Sequence, residues 1–439
     1  MFGIKTRIIR KVRSFISTTI PSDTFPISGV SKLLIYCNLF FIKKEYDKKG
    51  QYNNLGWLTT PARPLAVWAY KFFLDVNPNH LGNWTIKRST PFGTQILERD
   101  VIKKMINLYH GNHNALEGYI TSGGTEGNLF SMWMGRNYLK SKIQQKYSIC
   151  VIQTDLTHYS ITKCADITGI NLFTTPLNSK TWNMDPEGLF ILIQKLYTIG
   201  YRGFLIPLTL GYTQTGTSDD KKAIATIIKK IKNKYKDIYF FLWMDAALNG
   251  LIEPFLNNTF RPFTNPYIQT LLVDFHKFAG VPHPAGVILY KKKFRPYIER
   301  TINYLPETDA TVLGSRPGAS AVSIWATICS LGKYGFKKII QDQLTNKQLF
   351  LKNLNAIYPN IKIITERNSL TCGLVIPNSI YTNILKQILK KYGFFAKTHK
   401  YTFEKSNKQK VKLYKIYFLP HMTTHIIYNI FRQIESYHS

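Results

Sequence analysis

Between about residues 120 and 290 the chain alternates short β-rich runs with stretches of helical periodicity, and few architectures accommodate that order. The runs at 149–153, 170–174, 204–209, 238–244, 270–273 and 286–290 read as strands. Amphipathic stretches at 126–146, 186–199 and 219–235 read as helices, the second entered through Asp185-Pro186, a cap followed by a first-turn proline. The strand candidates are apolar almost throughout, without the in-and-out alternation of a sheet wetted on one side. The pattern therefore predicts an α/β fold with a mostly parallel central sheet covered by helices on both faces. Chemistry-bearing groups in such a sheet are expected where the strands end.

Past about residue 305 the pattern changes. A helical stretch at 319–334 precedes strand-like runs at 361–364, 373–376 and 413–419, which predicts a smaller C-terminal α+β domain. The expected division is an N-terminal segment at 1–70, a large domain at 71–305 and the small domain at 306–439. Residues 397–412 read as a polar, mobile excursion. The apolar run at 33–42 is about half the roughly 20 residues a membrane span needs, and reads as a buried helix. Residues 1–22 carry Lys5, Arg7, Arg10, Lys11 and Arg13 without an acid, in the manner of an organelle transit peptide. An ordinary basic arm on a cytoplasmic protein is the plainer expectation.

With 44% hydrophobic and 14% aromatic residues among 439, the chain is not a disordered one. Its five cysteines lie far apart and form no metal-ligand spacing, so reduced thiols and no metal are expected. The formal charge of +33 offers anionic partners a foothold. Its lysines are nevertheless dispersed, at 229–236, 291–295, 390–391 and 397–415, without a recognition motif, so binding of nucleic acid is not expected.

Four local patterns carry chemistry. Thr121-Ser-Gly-Gly-Thr-Glu-Gly-Asn128 joins small residues to a helix start: Gly123 and Gly124 admit close approach, Ser122 and Thr125 add hydroxyls, and the helix terminus attracts a phosphate. A plain strand-to-helix turn capped by Thr125 carries the same residues. Asp245 ends an apolar run before Ala246 and Ala247, suited to holding a proton on a ring nitrogen while Ala247 packs on the ring, or else to capping a turn before Gly250. His158, after a strand candidate, is placed either to stack on such a ring or to serve structure alone. Lys277 follows the apolar run at 271–273, flanked by Asp274 and by His276, a donor for a phosphate. A phosphate cradle, an acid for a ring nitrogen and an amine for an aldehyde are what a pyridoxal phosphate site requires.

The stretches at 118–128, 157–160, 244–250, 276–280 with 284–286, and 311–318 stand in the order of one family, which the chain resembles over about residues 80–425. That family is the group II pyridoxal-phosphate-dependent amino-acid decarboxylases of fold type I, and the resemblance is closest to histidine decarboxylase and plant serine decarboxylase. It implies the aspartate-aminotransferase-like fold, with Lys277 as the Schiff-base lysine, His158 on the ring, Asp245 at the ring nitrogen and Ala247 as a ring contact. Ser122, Gly123, Gly124, Thr125 and His276 would surround the phosphate, with Thr209 near the phenolic oxygen or the substrate carboxylate. Tyr304 stands where relatives carry a loop tyrosine, implying a proton donor. The resemblance also implies a homodimer with the site at the subunit boundary, where Ser315 of Gly314-Ser-Arg316 reaches the neighbour's cofactor. Asp274 departs from the family pattern, since many relatives carry Ser or Asn there. The expected reaction is decarboxylation of histidine to histamine. Serine decarboxylation to ethanolamine and another carbon–carbon lyase reaction are alternatives, as is a silent homologue binding nucleic acid or membrane through its basic surface.

Overall fold

Residues 31–49, 55–58, 60–82, 93–303 and 308–437 are described by the structure, a computed structural model. Leu116–Thr121 (β1), Ser148–Gln153 (β2), Asn171–Thr174 (β3), Tyr201–Thr209 (β4), Tyr239–Asp245 (β5), Ile268–Asp274 (β6) and Gly286–Lys291 (β7) form one sheet. Its order is β1-β7-β6-β5-β4-β2-β3. β7 is antiparallel to both neighbours and every other pairing is parallel. The apolar runs are buried for the reason the sequence suggests: every residue of β1 and β6 is buried, and Phe241 and Trp243 of β5 pack with Tyr119, Phe130 and Tyr290 in the main core.

Thr94–Leu108 (α1), Gly124–Lys140 (α2), Ser160–Thr168 (α3), Pro186–Thr198 (α4) and Lys221–Lys234 (α5) flank the sheet. The proline start of α4 stands as read, with Asp185 accepting from the Gly188 N–H at 2.9 Å. A long helix, Gly318–Ile357 (α6), runs well past the expected 319–334, broken at Gly332, whose φ of 55° lies outside the helical region.

One buried ionic knot braces the strand that leads into the glycine-rich turn. Glu98 on α1 accepts from Arg316, from His80 Nδ1 at 2.6 Å and from the Ile120 N–H of β1 at 2.8 Å. Arg316 also donates to the Ile120 carbonyl at 2.9 Å. Burial alone would raise the Glu98 pKa, but Arg316 and His80 overrule it and hold the carboxyl at about 2.

Lys362–Ile364, Thr371–Val375, Asn407–Tyr417 and Ala396–Phe403 form a second, antiparallel sheet of four strands in that order. Residues 397–412 are therefore not a mobile excursion, contrary to expectation: most of them belong to a hairpin with eight paired positions. The alternation was hidden because the outer face is lysine-rich, while the inner Tyr401 and Phe403 pack on Trp182 at 5.4 and 5.0 Å between centroids. Chain contacts separate Met1–Leu55 from Gly56–Ser439, and the C-terminal sheet lies within the second unit. In the first unit, Lys32–Lys49 is helical, but the helix is not buried as expected, with Leu33 72% and Phe40 63% exposed. Residues 1–22 lie outside the described residues.

Candidate active site

Strands β1, β4, β5 and β6 end on the same side of the sheet, and the residues at or just after those ends line one cavity of about 340 Å³. Ser122, Gly123, Gly124 and Thr125 enter it from the β1–α2 turn, Thr209 from β4, Asp245 and Ala247 from β5, and Asp274, His276 and Lys277 from β6. His158 reaches it from the loop after β2. These eleven residues, dispersed over more than a third of the chain, come together because parallel strands all point their carboxyl ends one way.

The cradle is built tightly. Gly124 opens α2, whose first N–H groups have no acceptor within the helix. At Gly123, with φ of 152°, a Cβ would meet His276 Cε1 at 2.9 Å, and at Gly124 it would meet Asp274 Oδ2 at 3.2 Å. Glu126 ties the turn down by accepting from the Ser122 N–H at 2.7 Å and the Tyr119 hydroxyl at 3.0 Å.

Asp245 is buried, and its orientation is set by a residue that motif reasoning did not assign. Asn128 donates to Asp245 Oδ2 at 2.8 Å while accepting from Trp243 Nε1 at 2.8 Å. Asn128 lies one helical turn beyond Gly124, a spacing that places both on one face of α2 and was the available signal. The same amide donates to Ser160 Oγ at 3.0 Å, which in turn bonds His158 Nδ1 at 2.8 Å. Burial lowers the His158 pKa, against the opposing pull of Asp245, so the ring is neutral at neutral pH.

Lys277 Nζ lies 2.9 Å from Asp274 Oδ2. The turn that carries it is pinned by Arg63, whose N–H donates to the Gly280 carbonyl at 2.8 Å and whose Nε donates to the Ala279 carbonyl at 2.9 Å. His276 gives its Nδ1 proton to the Ala285 carbonyl at 3.0 Å, and burial pushes its pKa down to about 4. Its Nε2 is 3.6 Å from Asp274, too long for a hydrogen bond. With the ring neutral, this contact is not an ion pair.

Sequence reasoning also missed the pair beneath Thr209. Asp219 accepts from the Thr209 N–H at 2.7 Å, the Met184 N–H at 2.8 Å and the Tyr212 hydroxyl at 2.8 Å, and burial pushes its pKa up to about 6. The helix expected from Asp219 begins two residues later, at Lys221, and Asp220 caps it by accepting from the Lys222 and Ala223 N–H groups at 2.9 and 3.1 Å. Adjacent acids thus split their work, one capping and one turned inward. Ser315 is not among the cavity residues: it is exposed on the short strand Ser315–Pro317, its hydroxyl accepting from Asn79 at 3.1 Å. Tyr304 lies outside the described residues. No cluster of potential metal ligands exists among the described residues.

The sheet with its flanking helices and smaller C-terminal domain defines a fold-type I pyridoxal-phosphate enzyme. L-Methionine decarboxylase from Streptomyces sp.590 has this fold, with a TM-score of 0.78 over 94% of this chain and 96% of that one at 16% identity. Glutamate decarboxylase of Lactobacillus brevis matches with a TM-score of 0.76 over 95% and 94% at 14% identity. Residues 82–376 match the pyridoxal-dependent decarboxylase conserved domain, and the chain belongs to that family. Tryptophan decarboxylase of Clostridium sporogenes is 30% identical over 329 residues, 74% of this chain and 76% of that protein. Histidine decarboxylase of Vibrio anguillarum is 27% identical over 286 residues, 65% and 70% of the two. The chain is a pyridoxal-phosphate-dependent carboxy-lyase.

The cavity fits that cofactor. Glycines leave room beside a helix terminus for a phosphate, and a buried acid, a half-buried amine and a neutral imidazole share the same space. Asp274 Oδ1 and Thr209 Oγ1, both buried and without a hydrogen-bond partner, are polar atoms left unanswered there.

Proposed function

We propose that the protein removes the α-carboxylate of an L-amino acid bearing a ring side chain, with histidine to histamine as the first choice. Pyridoxal phosphate, when bound, supplies the electron-withdrawing ring that accepts the bond electrons left as carbon dioxide departs. Ser122, Gly123, Gly124, Thr125 and His276 would surround its phosphate. Asp245, kept in place by Asn128, would hold the proton on the ring nitrogen, and His158 and Ala247 would hold the ring between them. Lys277 would hold the cofactor at its aldehyde through Nζ. Thr209, with its N–H fixed by Asp219, orients the substrate carboxylate, and Tyr304 returns the proton to Cα.

The observation that carries the choice of substrate is the cavity's charge. Apart from Lys277 it has no lysine or arginine among its described lining residues, so nothing there pairs with an acidic side chain. Leu156, Tyr212 and Leu248 supply apolar and aromatic wall, which a ring covers and a serine hydroxymethyl group does not. Relatives named for tryptophan and histidine support the same class. Incubating the holoenzyme with single amino acids and identifying amines by mass spectrometry tests it. Histamine, tryptamine or tyramine is the expected product, whereas ethanolamine, an amine from an acidic substrate, or no amine rejects the assignment.

We also propose a homodimer. Leu33, Tyr36 and Phe40 of the Lys32–Lys49 helix are exposed in the single chain, and a second copy would cover such a face. Light scattering of the purified protein at a monomer mass would rule this out.

A further inference from the structure

Asp274 presents the phosphate cradle with an acceptor where a donor would be expected. Its carboxylate is buried, Oδ1 has no partner, and the position of a Cβ built on Gly123 lies 3.6 Å from that oxygen. The ionisable groups around it are few. Lys277 Nζ stands 2.9 Å from Oδ2, His276 Nε2 stands 3.6 Å from the same oxygen, and the His283 ring stacks on His276 at 3.9 Å between centroids. His158 faces it across the cavity. His276 spends its one neutral-state proton on the Ala285 carbonyl, so its Nε2 is left with a bare lone pair beside Asp274. Burial lowers the pKa of His283 and His158 as well.

The cradle is therefore two-sided. The α2 terminus and its hydroxyls donate, while Asp274 and His276 on the opposite side can only accept. In the free chain the Lys277 amine pairs with Asp274 Oδ2, but the same nitrogen bonded to the cofactor's aldehyde would keep at most one hydrogen and would be held to the cofactor rather than left free to donate to Asp274. A phosphate dianion brings no hydrogen of its own, so against Asp274 it would leave two anionic oxygens facing each other with nothing between.

Resting on the cradle assignment proposed above, we infer that this chain holds its cofactor's phosphate as the monoanion, with the remaining P–O–H donating to Asp274 Oδ1. A phosphate monoester loses its second proton near pH 6 in water, and an adjacent carboxylate shifts that loss upward. Above the shifted value the proton leaves, the two anions repel, and the cofactor is released more readily.

Phosphorus-31 NMR of the holoenzyme between pH 6 and 9, for wild type and Asp274→Asn, measures the phosphate's charge directly. Cofactor Kd from absorbance titration at each pH accompanies it. The wild-type resonance is expected to stay at the monoanion position past pH 7.5, and Kd to weaken by up to about tenfold per pH unit above the transition, the slope of one coupled proton. In Asp274→Asn the amide donates instead, so the resonance reads dianion and the slope disappears. Asp274→Ser is expected to behave likewise and serves if the asparagine variant does not fold. A bound dianion in wild type at pH 7, or identical titrations in wild type and variant, overturns the inference and leaves the cradle intact. A resonance that titrates as free cofactor in both proteins overturns the cradle assignment, and the inference with it.

Discussion

Glu98→Gln removes the charge at the centre of the knot beneath the phosphate turn. In the folded chain the carboxyl sits at about 2 against an ordinary 4.5, a gap of roughly 2.5 pH units. At about 1.4 kcal/mol per unit, the fully ionised group contributes about 3 kcal/mol. Because the folded value is the lower one, this contribution is complete above about pH 4.5 and is lost as pH falls toward 2. Glutamine also leaves Arg316 charged and buried beside a neutral amide, for which a cost of about 3–5 kcal/mol is typical. The variant should unfold several degrees lower in a thermal melt at pH 7, with weaker cofactor retention, since an amide replaces the charged acceptor of Arg316 and His80 beneath the strand that leads to the cradle. Its stability should also vary less between pH 5 and 3 than that of wild type. The double variant Glu98→Gln, Arg316→Met, with no buried charge left unpaired, should recover much of the loss. A single variant within about 1 kcal/mol of wild type, or a double variant worse than the single, would refute the view that this knot is a tightly coupled ionic unit.

Four further outcomes follow from the same contacts. Lys277→Ala should lower amine formation on the order of a thousandfold or more, and borohydride should fix no pyridoxyl group at position 277; undiminished turnover would sink the site assignment. Asn128→Ala strands the Trp243 N–H and removes an Asp245 partner, so about 1–3 kcal/mol of stability should go along with a fall in kcat, measured by melts and amine assay. Gly216→Ala should destabilise by about 2–4 kcal/mol, because φ is 73° and the new Cβ would come 2.3 Å from the Thr371 carbonyl oxygen; an unchanged urea midpoint would contradict this. His421, with both ring nitrogens unpartnered, is held by burial at about 4, below its ordinary 6.5. The unfolded chain therefore binds the extra proton between those values, and stability should fall as pH drops from 6.5 toward 4. His421→Leu should raise the melting temperature more at pH 5 than at pH 7.5.

Motif and periodicity made much of this molecule legible, though unevenly. All six predicted strands of the central sheet exist within a few residues; the inner ones are buried on both faces and carry a signal that survives without context, while the edge strand Asn171–Thr174 is only partly covered. β1 was not read as a strand, and in the lysine-studded hairpin at 396–417 only the end from residue 413 was read as one, since half of the remaining residues face water and dilute the alternation. At the site, Lys277, Asp245, His158 and the glycine turn announced themselves by residue type and position. Asn128 and Asp219 did not, because an asparagine inside a helix and one of two adjacent aspartates look like ordinary polar residues until their neighbours are known.

Residue order alone determined the layered α/β architecture and the short list of groups able to hold a phosphorylated aldehyde, since both depend on local patterns a few residues long. Only the tertiary structure decided which way the charges face. It left a lone pair of His276 Nε2 beside Asp274 and an unpartnered oxygen of Asp274 near the cradle, buried Asp219 under Thr209, and enclosed Arg316 with Glu98. Those pairings join residues tens to hundreds of positions apart, and their energies depend on burial and on distances of a few ångströms, which no local window of sequence contains.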